Sequence, residues 1–418
     1  MDKILVEGGV KISGEIAVGG AKNAVLPLMA ASILLTRGSL KIHNVPMLQD
    51  VKTMINILRL LGADISINVA TLEIDTSSIK KVDPDPEGVK AMRASVVLMG
   101  PMLGKFGRVS LPLPGGCAIG ERPIDQHLAV FEAMGADVSI NNGFVNLIAD
   151  SLKGTDFRFK VSTVTGTENA IMSAVMAKGK TVLYNCAMEP EVVALADALN
   201  SMGGRISGAG TETIVINGGY SLHGIEHEVM PDRIEAATFL IAGAVAGSNV
   251  FVKTAGVRHL NAVIGKLKEA GVSIEERDSG ILVHGCRNPA PTNVKTMVYP
   301  GFPTDVQAQF MVLMCLADGE SLIEEAVFEN RFHHVRELQK MGADITLDGR
   351  YVRVRGVNNL KGARVIASDL RASASLVIAG LAAEGFTEIE GVEHLDRGYE
   401  KIENKMSGVG ARIKRIVV

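Results

Sequence analysis

Apolar helical stretches alternate along the chain with short strands in which polar and apolar residues take turns, and the alternation has a period. A helix running into Gly, a small residue and a polar–apolar alternation occurs as LLGADISI, AMGADVSI, SMGGRISG, EAGVSIEE, KMGADITL and GVGARIKR, at Gly62, Gly135, Gly203, Gly271, Gly342 and Gly410. Successive spacings are 73, 68, 68, 71 and 68 residues. A second glycine series, Gly38, Gly107, Gly179, Gly247, Gly319 and Gly385, closes apolar helices and opens strands. Both series are read as helix terminators in the left-handed conformation. Each copy holds an apolar helix, a strand, a second helix such as residues 48–61 or 333–341, and two or three short strands such as 344–347, 351–355 and 363–367. The count predicts six α/β repeats of about 70 residues rather than a doubly wound sheet. No GxGxxG turn and no GxxxxGK[ST] loop is present, so dinucleotide and P-loop chemistry find no support.

The sixth copy ends at Val418 after a single terminal strand, whereas residues 3–7 and 12–18 are strands ahead of the first helix. The simplest closure lays both N-terminal strands on the sixth copy. Three copies per domain then give one domain over residues 22–231 and a second made of 1–21 and 232–418. The chain crosses twice between them, near 20–22 and 230–233, and two adjacent crossings predict a hinge and a cleft.

Composition narrows the function. A chain of 418 residues with 47% hydrophobic and 21% charged positions suits a globular protein of more than one domain. The 43 basic and 46 acidic residues leave a net charge of -3, which gives no bulk attraction for nucleic acid or an anionic membrane. With 4% aromatic residues and no Trp, base-stacking platforms are not expected. Apolar runs such as 236–247 are too short to span a bilayer and read as buried helices. Cys117, Cys186, Cys286 and Cys315 are far apart with no CxxC pair, and are read as reduced thiols of a cytoplasmic protein rather than zinc ligands.

Two features carry chemistry. The stretch SLPLPGGCAIGERPID, residues 110–125, is too rich in Gly and Pro for a helix or a regular ladder, and it raises Cys117 onto a mobile loop five residues before Arg122. An accessible thiol near a guanidinium is in the setting where thiols react. The second feature is positional. Fourteen residues before each glycine of the second series stand Arg93, Thr165, Arg233, Asp305 and Arg371, and Lys22 and Asn23 occupy the same turn of the first copy. Thr304 and Ser368 are read as N-caps and TDVQ as a capping box, so these positions open helices. Helices pointing the same way would bring their positive ends together as an anion site. Arginine is disfavoured at a helix N-terminus, so Arg93, Arg233 and Arg371 point to a ligand with several negative charges.

The residues GAKNAVLP, MRAS, LPGGCAIGERPID, EPE, MPDRIE, FPTDVQAQF, FENRF, SDLRASASL and DRGYE together resemble the enolpyruvyl transferase family, closest to its UDP-N-acetylglucosamine 1-carboxyvinyltransferases, over the whole chain. The resemblance implies an inside-out α/β barrel of six similar units in two domains, with the active site in the cleft between them. It implies transfer of the enolpyruvyl group of phosphoenolpyruvate to the 3-hydroxyl of UDP-N-acetylglucosamine, without metal or organic cofactor. By the same likeness Cys117 is the acid and the thiol that forms a phosphoenolpyruvate adduct and reacts with the epoxide fosfomycin. Asp305 positions or deprotonates the sugar hydroxyl, and Asp369 and Arg371 support turnover. Lys22, Arg122 and Arg397 bind phosphoenolpyruvate; Asn23, Arg93 and Val327 face the nucleotide sugar; Arg122, Pro123, Ile124, Asp125 and Gln126 line the uridine. Where relatives carry a KVSVGA-type stretch, this chain has VSTVTGTENA over residues 161–170, so no lysine contact is carried there. The related transferase acting on shikimate 3-phosphate is the alternative within enzymes. A non-catalytic sugar-nucleotide sensor is the alternative outside them.

Overall fold

The computed structural model describes residues 2–79, 83–84, 86–113 and 123–417. The chain divides into two compact units, residues 2–19 with 231–417, and residues 20–113 with 123–230. Each unit has its own apolar core.

Within the first of these units three helices, Arg233–Ala246, Gln307–Met314 and Leu370–Ala382, pack on one another in the interior. Every residue from Ile234 to Ala244 is buried. A helix apolar on all sides has no face to give to water and must lie inside. The strands outside it bury one face only: along Tyr351–Arg355, Val352 and Val354 are buried and the other three residues exposed. In the other unit Lys22–Ala31, Met99–Phe106 and Val164–Ala174 are the interior helices. Helices within and sheets without make an inside-out α/β barrel.

One sheet plan recurs. In the fifth repeat Val294–Lys295 lies parallel to Glu320–Glu324 on either side of the core helix, and Tyr351–Arg355 and Asp344–Asp348 add an antiparallel hairpin. The third repeat follows the same plan with Asp156–Arg158 and Gly179–Tyr184. The chain ends complete it elsewhere. Lys3–Glu7 sits between Phe386–Glu390 and Arg412–Ile416, supplying the hairpin strand that the sixth repeat lacks. Ile12–Ala17 departs from the sequence expectation, because it pairs parallel with Gly247–Lys253 of the fourth repeat. The reason is topological. Among the described residues five repeats set a parallel strand beside the strand that follows the core helix, and Glu226–Glu228 fills that place beside Leu40–His43 in the first repeat, as Ile12–Ala17 does in the fourth.

All six glycines of the first series have positive φ, from 82° at Gly271 to 111° at Gly62. In the second series Gly247 is the exception, with φ -82° and ψ 160°. Glycine is required there for closeness: a Cβ on Gly247 would stand 2.2 Å from the carbonyl oxygen of Gly243. Among the described residues no helix is long and apolar enough to cross a membrane.

Candidate active site

The equivalent helix starts converge within each unit. In the unit holding the C-terminal half, Asp305 lies in the turn Thr304–Val306 ahead of Gln307–Met314, and Arg371 is the second residue of Leu370–Ala382. These are corresponding positions of adjacent repeats, and they meet: Arg371 Nη2 donates to Asp305 Oδ2 at 3.0 Å. Arg331 Nη2 donates to the other carboxylate oxygen, Oδ1. Both arginine side chains are less than a tenth exposed, while that of Asp305 is 26% exposed. The carboxylate is gripped from inside and open to solvent on one edge. Burial by itself would raise its pKa; the charges and hydrogen bonds of Arg371 and Arg331 outweigh that and hold it well below the usual carboxylate range. Burial likewise works against the charge on Arg371, but Asp305 more than restores it, and the guanidinium stays protonated.

Arg331, in the FENRF segment, is a further member of the site's charge cluster. No sequence signal marks it as turning inward, since an arginine in a loop is by default solvated. Its aim is set by buried Glu325, whose Oε2 accepts from Thr304 Oγ1 at 2.8 Å while Arg331 Nη1 donates to the same hydroxyl at 2.9 Å. Glu325 Oε1 accepts from the amides of Val327 and Phe328 at 2.9 and 3.1 Å, which fixes the loop that presents Val327. The Arg331 guanidinium also lies 5.0 Å from the Phe328 ring centroid.

Caps differ from expectation. Asp369, not Ser368, caps its helix, its Oδ1 accepting from Arg371 N and Ala372 N at 2.9 and 3.0 Å. Thr304 is the first residue of its turn and has its hydroxyl engaged by Glu325 and Arg331, and the preceding Pro303 makes no side-chain cap. Asp369 therefore anchors the start of the helix that carries Arg371. Asp232 caps Arg233–Ala246 in the same way and lies close enough to Arg371 to reinforce its charge. Arg397 is half-buried at the end of the turn Leu395–Arg397.

The other unit gathers a second set. Lys22 opens Lys22–Ala31 and its Nζ stands 3.3 Å from Oδ2 of buried Asp50, with exposed Asn23 beside it. Arg93, half-buried, begins the turn Arg93–Leu98. His127, buried, bonds through Nε2 to Thr165 Oγ1 at 3.0 Å. Burial, opposed by Asp125 and assisted by Arg93, lowers its pKa to about 4, so its imidazole is neutral at pH 7. Pro123 and Asp125 are exposed and Ile124 half-buried. Gln126 turns inward: its Nε2 donates to Asp125 Oδ2 and its Oε1 accepts from Lys160 N, both at 2.7 Å. Its amide is taken up by these two bonds and does not point outward. Lys160 is exposed immediately ahead of the divergent stretch, so a lysine does stand on that side. Thr163 caps Val164–Ala174, and Thr165 is engaged by His127.

Cys117 and Arg122 lie outside the described residues. Of the other thiols, Cys186 and Cys315 are buried, and burial pushes both up to about 12; Cys286 is partly exposed and also raised by burial. Among the described residues no group of His, Cys, Asp and Glu is assembled to hold a metal ion.

The chain matches the model of the EPSP synthase (3-phosphoshikimate 1-carboxyvinyltransferase) family over residues 6–406. It is 51% identical over 416 residues to UDP-N-acetylglucosamine 1-carboxyvinyltransferase of Geobacter metallireducens, covering all of both chains. The chain belongs to the UDP-N-acetylglucosamine 1-carboxyvinyltransferase branch of the enolpyruvyl transferases. The enzyme of the same name from Desulforapulum autotrophicum is 52% identical over 417 residues, again at full coverage of both. In fold, this enolpyruvyl transferase resembles the crystal structure of the enolpyruvyl transferase NikO from Streptomyces tendae, with TM-score 0.90, 24% identity and coverage of 100% and 99% of the two chains. EPSP synthase from Acinetobacter baumannii superimposes with TM-score 0.76 at 18% identity, covering both chains fully.

Proposed function

We infer that this enzyme transfers the enolpyruvyl group of phosphoenolpyruvate to the 3-hydroxyl of UDP-N-acetylglucosamine and releases inorganic phosphate. The observation that carries the reading is the full-length identity of about half the residues to enzymes of that name, against 18% to EPSP synthase. The reaction feeds peptidoglycan synthesis, and its two substrates place its work in the cytoplasm.

Addition begins with a proton delivered to C3 of phosphoenolpyruvate, which leaves C2 electron-poor. The sugar hydroxyl then attacks C2, losing its proton, and a tetrahedral intermediate forms that carries both the phosphate and the sugar ether. Loss of a C3 proton with departure of phosphate restores the double bond. Asp305 is assigned to the hydroxyl. A carboxylate held so far below its usual range is a weak base, but an alcohol bonding to an electron-poor carbon becomes strongly acidic as the bond forms, so a weak base in the right place is sufficient. Orientation by Arg331 and Arg371 is therefore its main contribution. Lys22, Arg122 and Arg397 meet the phosphate and carboxylate charges, with Asn23, Arg93, Val327 and the 123–126 segment assigned to the sugar nucleotide. Cys117 is assigned the proton for C3; an ordinary thiol, with pKa about 8.5, is largely protonated at neutral pH.

Protonation and deprotonation at C3 give a direct test. In deuterium oxide the vinyl position of the product is expected to acquire deuterium, because the transient methyl group loses one of three hydrogens. A product vinyl group free of deuterium under turnover would rule out addition followed by elimination.

A further inference from the structure

Asp305 and its two arginines are backed by a buried polar chain that the reaction scheme leaves unused. Tyr399, 1% exposed, places its hydroxyl 2.8 Å from Thr238 Oγ1. The direction of that bond follows from counting protons. Thr238 Oγ1 already donates to Ile234 O, one helical turn back, at 2.8 Å. A hydroxyl has one proton, so between the two oxygens it is Tyr399 that donates. The Tyr399 oxygen is left as an acceptor, and Arg371 Nη1 approaches it at 3.4 Å. The other arm of the same guanidinium, Nη2, is the one that holds Asp305 Oδ2. Gln309 ties in from the side: its Nε2 donates to Thr238 Oγ1 at 3.1 Å and to the main-chain oxygen of Asp305 at 3.0 Å.

Every element of this chain belongs to one of the three core helices of its unit, or to the turn after Arg397. That turn is itself seated on the helix of Arg371: a Cβ on Gly398 would come within 2.6 Å of Leu370 Cδ2. The residue assigned to phosphoenolpyruvate and the fork aimed at Asp305 are thus set by the same short segment.

We propose that the Tyr399 hydroxyl is a positioning residue for turnover, holding one arm of the Arg371 guanidinium so that the other stays on Asp305. Burial raises the phenol pKa, so it remains a donor to Thr238 throughout the working pH range. The assignment rests on the reading of Asp305 as the group that orients the acceptor hydroxyl.

The test is a kinetic cycle on the full-length enzyme. Tyr399→Phe is expected to lower kcat about tenfold with KM for both substrates within about twofold, since aim rather than binding is lost. Arg371→Lys keeps the charge and removes the fork. In that background Tyr399→Phe is expected to change kcat by less than about twofold, because the hydroxyl has no second arm left to hold. A purely structural tyrosine would multiply the two losses instead, and that result, or an unchanged kcat in Tyr399→Phe alone, would overturn the assignment. Should Tyr399→Phe fail to fold, Thr238→Ala and Thr238→Ser carry the test: Ala is expected to lower kcat, Ser to recover most of it, and equality of Ala with wild type would overturn the proposal. A wild-type enzyme that releases no phosphate would instead remove the reaction itself, and with it the ground of this assignment.

Discussion

Asp305→Asn is expected to lower kcat about a thousandfold, within the range for losing a positioned acid–base group, while the enzyme still binds phosphoenolpyruvate. The amide keeps the shape of the carboxylate and removes its charge. It also turns an NH2 toward one of two arginines that are each less than a tenth exposed, so two buried cations lose the carboxylate they share. Breaking a buried pair in this way costs about 3–5 kcal/mol, and urea unfolding is expected to show a loss of that order beside the kinetic one. The pH dependence has a definite sign. Because the folded-state pKa of Asp305 is depressed, its stabilising contribution is complete above the unfolded carboxylate pKa and disappears only as pH falls through the lower folded value. Between pH 5 and pH 8 the contribution of Asp305 is therefore flat, and a fall in activity on mild acidification has another source. A kcat for Asp305→Asn within about threefold of wild type would take Asp305 out of the mechanism.

The second large effect belongs to Cys117. Cys117→Ala is expected to lower turnover at least about a hundredfold, whereas Cys117→Asp, which restores an acid at the same place, retains a measurable part. The remaining thiols supply the contrast. Burial pushes Cys186 and Cys315 up to about 12, so at pH 7 both stay in the thiol form and almost none is the thiolate that reacts. An epoxide such as fosfomycin is expected to add once, at Cys117, as read by intact mass and peptide mapping. Alkylation at Cys186, Cys286 or Cys315 instead, or an Ala variant as active as wild type, would detach the thiol from the reaction.

Much of the architecture was legible because it is periodic. Glycine at the end of six helices is a local signal, and eleven of the twelve glycines in the two series have the left-handed φ that the sequence pattern implies. Gly247 differs because a strand and a helix backbone approach too closely there for any Cβ, a requirement that leaves the same letter in the sequence. The place of Ile12–Ala17 is hidden for a related reason. Alternation identifies a strand, but only the completed set of parallel partners shows which sheet has a vacancy.

Residue types at the site were legible and their pairings were not. Asp305 and Arg371 were singled out by their equivalent positions before Gly319 and Gly385, and equivalence is what brings them together at converging helix starts. Arg371 was expected to face a ligand's negative charge and instead grips the enzyme's own carboxylate. Arg331, Glu325, Asp50, His127 and Tyr399 carried no periodic mark, since their importance comes from burial beside a charge. Gln126 was read as lining the uridine because of its motif, and its amide closes bonds to Asp125 and Lys160 that sequence does not display.

The most direct test of the enzyme's identity is phosphate release from phosphoenolpyruvate, followed separately with UDP-N-acetylglucosamine and with shikimate 3-phosphate as acceptor. Release is expected with the sugar nucleotide, one phosphate for each enolpyruvyl ether formed, and none above background with shikimate 3-phosphate. Release with shikimate 3-phosphate alone, or with neither acceptor, would contradict the account.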